Sequence, residues 1–344
     1  GCEWSNIHLK SYNMLSYIIP FLILILVVVF IHEYGHYYFA RKYGVGVTDF
    51  SIGFGKELFG WNDKHGTRWK VCAIPLGGYV KFFGDRNVYS QADHHEILEK
   101  YNEEERDKLF ILKPLYQRVL IVFGGPLANF LLALAIFFCI YTFVGKDFTP
   151  AVISEVQKDS PAMVGGLKNQ DIILEIDGNE VKSIIEVSKY ITMSIGEFID
   201  FKVKRSYDEL ILKVRPNVVE GEDGLGNKIN KRMVGIKLSA YNDKINHIKL
   251  GPAQALYHAA NEVYFVSVSS LKYIGGIIMG KADTSQLGGP IRIAKISGQV
   301  ATFGVLAFIS MMAYISISLG LINLFPIPML DGGHLMFYAF EKVL

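Results

Sequence analysis

Cysteine is scarce in this chain, and the three present, Cys2, Cys72 and Cys139, lie far apart. They build neither a disulfide framework nor the paired spacing of a zinc ribbon, so they read as scattered thiols. An excess of either charge is lacking too: 35 Lys and Arg against 33 Asp and Glu leave a formal net charge of +2. No basic stripe interleaved with aromatics occurs, which argues for no nucleic-acid partner. No internal repeat is visible. What the chain has in abundance is apolar residues. Of its 344 residues, 51% are hydrophobic, and the mean hydropathy is +0.26. That is too apolar for an ordinary soluble protein, in a length that could hold two or so domains.

The apolar excess is concentrated. Ile18 to Ile31 runs almost without a polar residue, and His32-Glu33-Tyr34-Gly35-His36 follows inside the same segment, which ends at Arg41 and Lys42. On a helix, residues four apart share a face, so His32 and His36 can offer two imidazoles to one ion. H-E-x-x-H on a helix is the zinc-hydrolase spacing, with the glutamate as general base. Crossing the hydrocarbon layer takes roughly 20 apolar residues at about 1.5 Å each. Ile18–Ala40 reaches that length only if the motif is counted. Such groups at membrane depth are costly, and face a bundle interior or a water cavity.

From Tyr43 to Asp85 glycines cut short β-branched and aromatic runs, Phe50–Gly55 and Trp69–Lys81 among them, with Trp61–Gly66 reading as a turn. This predicts strands, either an edge that pairs with an extended peptide or a hairpin that only packs. The run Glu103–Lys108 reads as a solvated helix face. A second span covers Val119–Val144 and carries Phe123-Gly124-Gly125-Pro126-Leu127-Ala128-Asn129-Phe130. Its glycines permit close helix approach, and the Asn129 amide can bond inward or serve as packing glue. Arg41, Lys42, Lys56, Lys108, Lys113 and Arg118 lie between the two spans, against Lys10 alone before them, which places that segment in the cytoplasm.

Gly145–Lys249 is then a water-soluble insert on the other side. Ser160-Pro161-Ala162 begins a short helix, and Asp171–Gly178 is a strand closing on an Asp-Gly turn. Strands follow at Phe198–Arg205 and Leu210–Arg215. The segment Glu220–Lys231 reads as a Gly, Asp and Asn-rich loop, and Met233–Ala240 as one more strand. Pro252–Met279 is an amphipathic helix suited to the membrane interface, and Leu287–Ile291 a turn. A third span occupies about Thr302–Leu324. Pro326 and Pro328 then break the helix before Leu330-Asp331-Gly332-Gly333-His334. A catalytic zinc takes three protein ligands and keeps one open position. Asp331, on the same side as the histidines, is the carboxylate placed to be the third.

Residues 149–217, with their S-P-A-x-x-x-G-L-x-x-x-D-x-I-L-x-I-D-G run, resemble a circularly permuted bacterial PDZ domain. The full set of motifs, H-E-x-x-H, F-G-G-P-x-x-N-F, the PDZ-like insert and N-x-x-P-x-P-x-L-D-G-G, resembles the site-2 protease family, and within it the RseP-type intramembrane zinc metalloproteases. The resemblance covers nearly the whole chain. The departure is one PDZ unit where enteric RseP carries two. It implies a polytopic α-helical membrane protein of about four transmembrane helices, with a re-entrant or interfacial β element and one extracytoplasmic α/β PDZ-like domain. Its parts would be a first membrane core at 14–144, the PDZ-like domain at 149–217, a linker with a strand at 218–251, an interfacial helix and turn at 252–301, and a second core at 302–344. His32, His36 and Asp331 would hold Zn2+, and Glu33 would be the catalytic base. Asn323 would contact unwound substrate, Asn129 would shape the cavity, and the sheet bearing Gly53 and Gly78 would guide substrate in.

The implied partners are single-pass transmembrane substrates, a peptide or C-terminus at the PDZ-like domain, and the lipid bilayer. The implied location is the bacterial inner membrane, with the active site toward the cytoplasm. Two other classes fit parts of the pattern: a metal or ion transporter, and a membrane scaffold built on the PDZ-like insert. The transporter lacks polar groups along the second span, where Asn129 stands nearly alone, and the intact His-Glu-His trio argues against a silent scaffold.

Overall fold

The computed structural model describes residues 3–84, 100–222, 228–282, 284 and 290–343. In chain order the main elements are α1 (Glu3–Lys42), β1 (Val47–Asn62), β2 (Arg68–Phe82), α2 (Leu115–Cys139), β3 (Ala151–Val156), β4 (Ile172–Ile176), α3 (Ile184–Met193), β5 (Ile199–Arg205), β6 (Asp208–Val214), β7 (Asn217–Glu222), β8 (Lys228–Met233), β9 (Ile236–Ala240), α4 (Pro252–Ile278), α5 (Pro290–Thr302), α6 (Val305–Leu324) and α7 (Asp331–Val343). They form two units, Gly1–Ile136 with Ile293–Leu344, and Phe137–Arg292.

Among the described residues, three helical stretches are long and apolar enough to cross a membrane: Ser16–Lys42, Leu115–Val144 and Val305–Leu324. The third starts later than the Thr302 expected from the sequence. Gly304, at φ 113°, takes a backbone conformation that L side chains rarely adopt, and so breaks the chain between α5 and α6. Helix α7, 13 residues in its described part, follows α6. Those three stretches are the candidate spans among the described residues.

In the first unit α1 and α2 cross at glycine. A Cβ on Gly35 would stand 2.8 Å from that of Ala128 and clash with the Gly124 carbonyl, and one on Gly124 would meet the Gly35 carbonyl at 2.6 Å. Apolar side chains gain little by leaving lipid for each other, so close backbone packing is what such a crossing offers. Helix α6 joins the pair through Gly320, whose Cβ would touch the Pro126 carbonyl at 3.3 Å. Leu24, Val28 and Met312 form the buried seam, with Leu132, Ile136 and Phe308 packed around it.

β1 and β2 form one antiparallel hairpin. The strands run further than the sequence suggests, because Trp61 and Asn62 still pair and the turn begins at Asp63. The Asp63 carboxylate accepts the N–H groups of His65 and Thr67 at 2.8 and 2.9 Å, closing the turn. It also accepts Trp69 Nε1–H at 3.0 Å and the Tyr37 hydroxyl of α1 at 3.2 Å, which ties the hairpin to that helix. Partial burial pushes this carboxyl up. The bonds from Trp69, Thr67, His65 and Tyr37 outweigh it and hold Asp63 below the usual carboxylate range.

The second unit holds an antiparallel sheet of order β9-β3-β4-β5-β6 around a core that includes Ile153, Ile173, Val187 and Phe201. Ser160 caps the short helix Pro161–Val164 by accepting Met163 N–H at 3.2 Å. Asp177 and Gly178, at φ 49° and 75°, make the expected Asp-Gly turn. Arg205 of β5 grips the fully buried Asp171 carboxylate with two bonds of 2.7 Å. The sheet does not stop at residue 217. β9 pairs with β3 from Ile236↔Val156 to Ala240↔Ala151 and forms its edge. Most of the loop expected at Glu220–Lys231 is instead the β7–β8 hairpin, registered from Asn217↔Met233 to Glu222↔Lys228. Residues 223–227 of that run, and residues 287–289 of the turn expected at Leu287–Ile291, lie outside the described residues.

Helix α4 buries Ala255, Ala259 and Val266 and exposes a mixed face that includes Gln254, Asn261 and Lys272. Its Glu262 is buried and paired with Lys189 of α3 at 2.5 Å, while Leu256, Tyr257, Tyr264 and Ile278 are exposed.

Candidate metal centre

His32 and His36 lie one turn apart on α1, with ring planes at 86° and Nε2 atoms 3.2 Å from each other. Asp331 opens α7 and brings Oδ2 to 3.2 Å from His32 Nε2 and 3.4 Å from His36 Nε2. Two glycines make this approach possible. A Cβ on Gly332 would clash with the carbonyls of Leu324 and Phe325, and one on Gly333 would lie 2.6 Å from the Ile327 carbonyl. Only a chain without side chains there can nest the first turn of α7 on the end of α6. Met329, at φ 81°, completes the sharp link.

The donor set fits a zinc ion. His36 donates its Nδ1–H to the Ile121 carbonyl at 2.9 Å, so its Nε2 presents a lone pair inward. Asp331 Oδ2 is buried beside two imidazole nitrogens, yet makes no hydrogen bond. A carboxylate oxygen so enclosed and unpaired is unfavourable unless a cation lies between the three groups. The three ligand atoms fall within 4.8 Å of one another. Two imidazoles and one carboxylate are a recurring zinc set that leaves a fourth position for substrate.

Glu33, the next residue along α1, is buried. Strand β2 runs across it at Gly78: a Cβ there would come within 2.9 Å of Glu33 Cγ and 3.0 Å of Val29 Cγ1. Asn129 of α2 is fully buried, its side-chain amide 3.0 Å from His32 Nδ1.

This arrangement coincides with a family match over residues 20–344, to the peptidase family M50. The chain belongs to that family. A protein of Agrobacterium fabrum with a provisional zinc metalloprotease name is 41% identical over 328 residues, 95% of this chain and 87% of the relative. One of Rickettsia conorii with the same kind of name is 39% identical over 331 residues, 96% of this chain and 89% of its own length. Metalloprotease MmpA of Caulobacter vibrioides is 34% identical over 353 residues, covering 96% and 88%. Among solved structures, a PDZ domain of an SdrC-like protein from Listeria monocytogenes matches 26% of this chain and 88% of its own at 26% identity and a TM-score of 0.22. The site-2 protease resemblance seen in the motifs is borne out at the level of the family.

Within this M50 chain the structure brings together His32, Glu33, His36, Asp331, Asn129 and Gly78. Gly53 sits on β1 at φ 86°, where a Cβ would meet the Ile74 carbonyl at 2.7 Å. Its role there is to let the hairpin bulge. Asn323 is half-buried in the last turn of α6, on the approach to the proline-broken link. Sequence reasoning missed Gly35, the Ile121 carbonyl and Ser316 as parts of the site. A glycine inside H-E-Y-G-H facing a Gly-Gly pair on another span was the available signal, but it names no partner.

Gly125 makes the histidines' placement testable. A Cβ on it would lie 2.8 Å from His32 Cε1 and clash with His36 Nε2. Gly125→Ala should lower zinc affinity at least about 10-fold, with a stability cost of about 1–3 kcal/mol from overpacking. Gly275→Ala, in α4, meets open space and serves as the control. Chelator competition on both proteins decides it. Wild-type zinc affinity in Gly125→Ala would contradict the placement.

Proposed function

We propose that this chain is an intramembrane zinc metalloprotease that cleaves transmembrane segments of single-pass membrane proteins. One observation carries the reading: His32 and His36 of the ligand cluster, and the buried Glu33, sit within a helix of membrane-spanning length. Zinc bound by His32, His36 and Asp331 would supply Lewis-acid polarisation of the scissile carbonyl and activation of water near neutrality. Glu33 takes the proton of the attacking water and returns it to the leaving amine. A helical substrate has its carbonyls engaged, so its cleavage region must unwind first. The hairpin offers backbone edges for pairing with the extended segment, and the Gly78 contact supports delivery beside Glu33. Asn323, close in sequence to Asp331, serves as a further polar contact for the unwound backbone.

The Phe137–Arg292 unit supports the PDZ-like reading and a peptide-binding role. A groove of about 460 Å³ lies among α3, the strand β8 and the edge strand β9, lined by Val187, Ile191, Ile229, Met233, Ile236 and Leu238 among others. An extended peptide or C-terminus fits there by adding a strand to β9. The setting is the bacterial inner membrane, with the catalytic end toward the cytoplasm, as the Lys and Arg distribution supports.

The test is cleavage of a model single-pass substrate by the purified full chain in lipid vesicles. Cutting should map within the membrane segment, stop with a zinc chelator and return with zinc. An intact substrate beside folded, zinc-loaded protein would overturn the reading.

A further inference from the structure

Behind the proposed ligands, α2 contacts the far side of both imidazoles. Ile121 and Asn129 are eight residues apart, about two turns, so they share one face on either side of Gly125. For His36 the partner is a backbone carbonyl, which can only accept, and this alone fixes Nδ1 as the protonated nitrogen. For His32 the partner is the Asn129 amide at 3.0 Å, which can donate through its nitrogen or accept through its oxygen. The difference matters. An amide N–H aimed at His32 Nδ1 would leave the ring proton on Nε2, where a metal ligand needs a lone pair.

Ser316 of α6 decides which way the amide turns. Its hydroxyl donates to the Asn129 backbone carbonyl at 2.8 Å, and the same Oγ lies 3.3 Å from the amide oxygen Oδ1, with the amide nitrogen placed toward His32 Nδ1. A hydroxyl has one proton. With that proton committed to the shorter bond, Oγ and Oδ1 would meet lone pair to lone pair, a conflict that a half-turn of the amide relieves by giving Oγ an N–H. The Asn129 oxygen is then turned toward His32. All members of the relay are closed off from solvent: Asn129 and Ser316 are fully buried, and His32 is 7% exposed. Water therefore cannot substitute for a missing partner.

We propose that Asn129, oriented by Ser316, is a positioning residue that accepts His32 Nδ1–H and so holds the Nε2 lone pair toward the zinc site. This replaces the cavity-shaping role expected of Asn129 from the sequence, since a fully enclosed side chain offers substrate no surface. It rests on the reading of His32 as a ligand, and the experiment separates the two.

The experiment measures zinc affinity of the full chain in detergent by chelator competition, together with the melting temperature of the metal-free protein. Wild type should bind one zinc and His32→Ala should not; equal binding by both would overturn the ligand reading and this inference with it. Given that contrast, Asn129→Leu should bind zinc about 10- to 100-fold more weakly. Asn129→Asp, whose carboxylate can only accept, should stay within a few-fold of wild type. Ser316→Ala should fall between them, because the amide is then free to turn. The cobalt-loaded absorption spectrum should change in Asn129→Leu and be restored in Asn129→Asp. Equal zinc affinity in wild type and Asn129→Leu would overturn the inference while leaving the ligand reading intact. An Asn129→Asp protein that folds but binds as weakly as Asn129→Leu would also overturn it.

Discussion

Glu33→Gln is expected to abolish cleavage while zinc stays bound. The substitution preserves shape, so the close passage of Gly78 over Glu33 Cγ is undisturbed. What it removes is the group that accepts a proton from water and hands it to the leaving amine. General acid–base assistance contributes typically about 10²–10⁴-fold, and one carboxylate would serve both halves here, so the loss belongs at the upper end of that range. Glu33 is not among the three convergent ligand atoms, so zinc content and chelator resistance should match wild type. The loss should appear in kcat rather than KM, as for a group whose work is confined to the transition state. Turnover by Glu33→Gln near the wild-type rate would remove Glu33 from the mechanism. Loss of zinc together with activity would instead make it a structural member of the metal site.

The same residue shows how far the sequence could be read. H-E-x-x-H and L-D-G-G announce ligands because metal chemistry demands particular side chains at particular spacings, and the structure converges His32, His36 and Asp331 accordingly. The spans were legible because apolar length is a local property, though their ends moved by a few residues, the third starting later where Gly304 takes a positive φ. What stayed hidden is non-local. Nothing near Gly35 tells that its missing side chain makes room for the Gly124 carbonyl, and nothing near Asn129 tells that its partner is His32 rather than lipid or substrate. The strand at Ile236–Ala240 could be seen, but not that it completes a sheet begun at Ala151, since pairing partners distant in sequence leave no periodic trace. The β7–β8 hairpin was obscured differently: its turn-forming residues dominate the composition of a segment whose ends are strand.

Asp331→Asn should act with opposite sign in the presence and absence of zinc. Asp331 Oδ2 is buried without a hydrogen bond, 3.2 and 3.4 Å from two imidazole nitrogens, and with zinc removed no cation would offset its charge there. An unsatisfied buried polar atom costs about 1–3 kcal/mol, more when charged. An amide of the same shape carries no charge and can donate to the His36 Nε2 lone pair, so metal-free Asp331→Asn should melt at or above the metal-free wild type. With zinc the order reverses. The variant lacks the only anionic ligand of the three, and a neutral amide oxygen is a much poorer donor to a divalent ion. Stabilisation by a ligand follows RT ln(1 + [L]/Kd), so a zinc concentration about 1,000-fold above the wild-type Kd adds about 4 kcal/mol to wild type. If the variant's Kd rises to near that concentration, it gains only a few tenths. Melting curves of both proteins, with zinc and with chelator, should therefore cross. A variant that melts below wild type under both conditions would mean that Asp331 braces α7 against α1 by packing. One that gains as much from zinc as wild type would remove it from the ligand set.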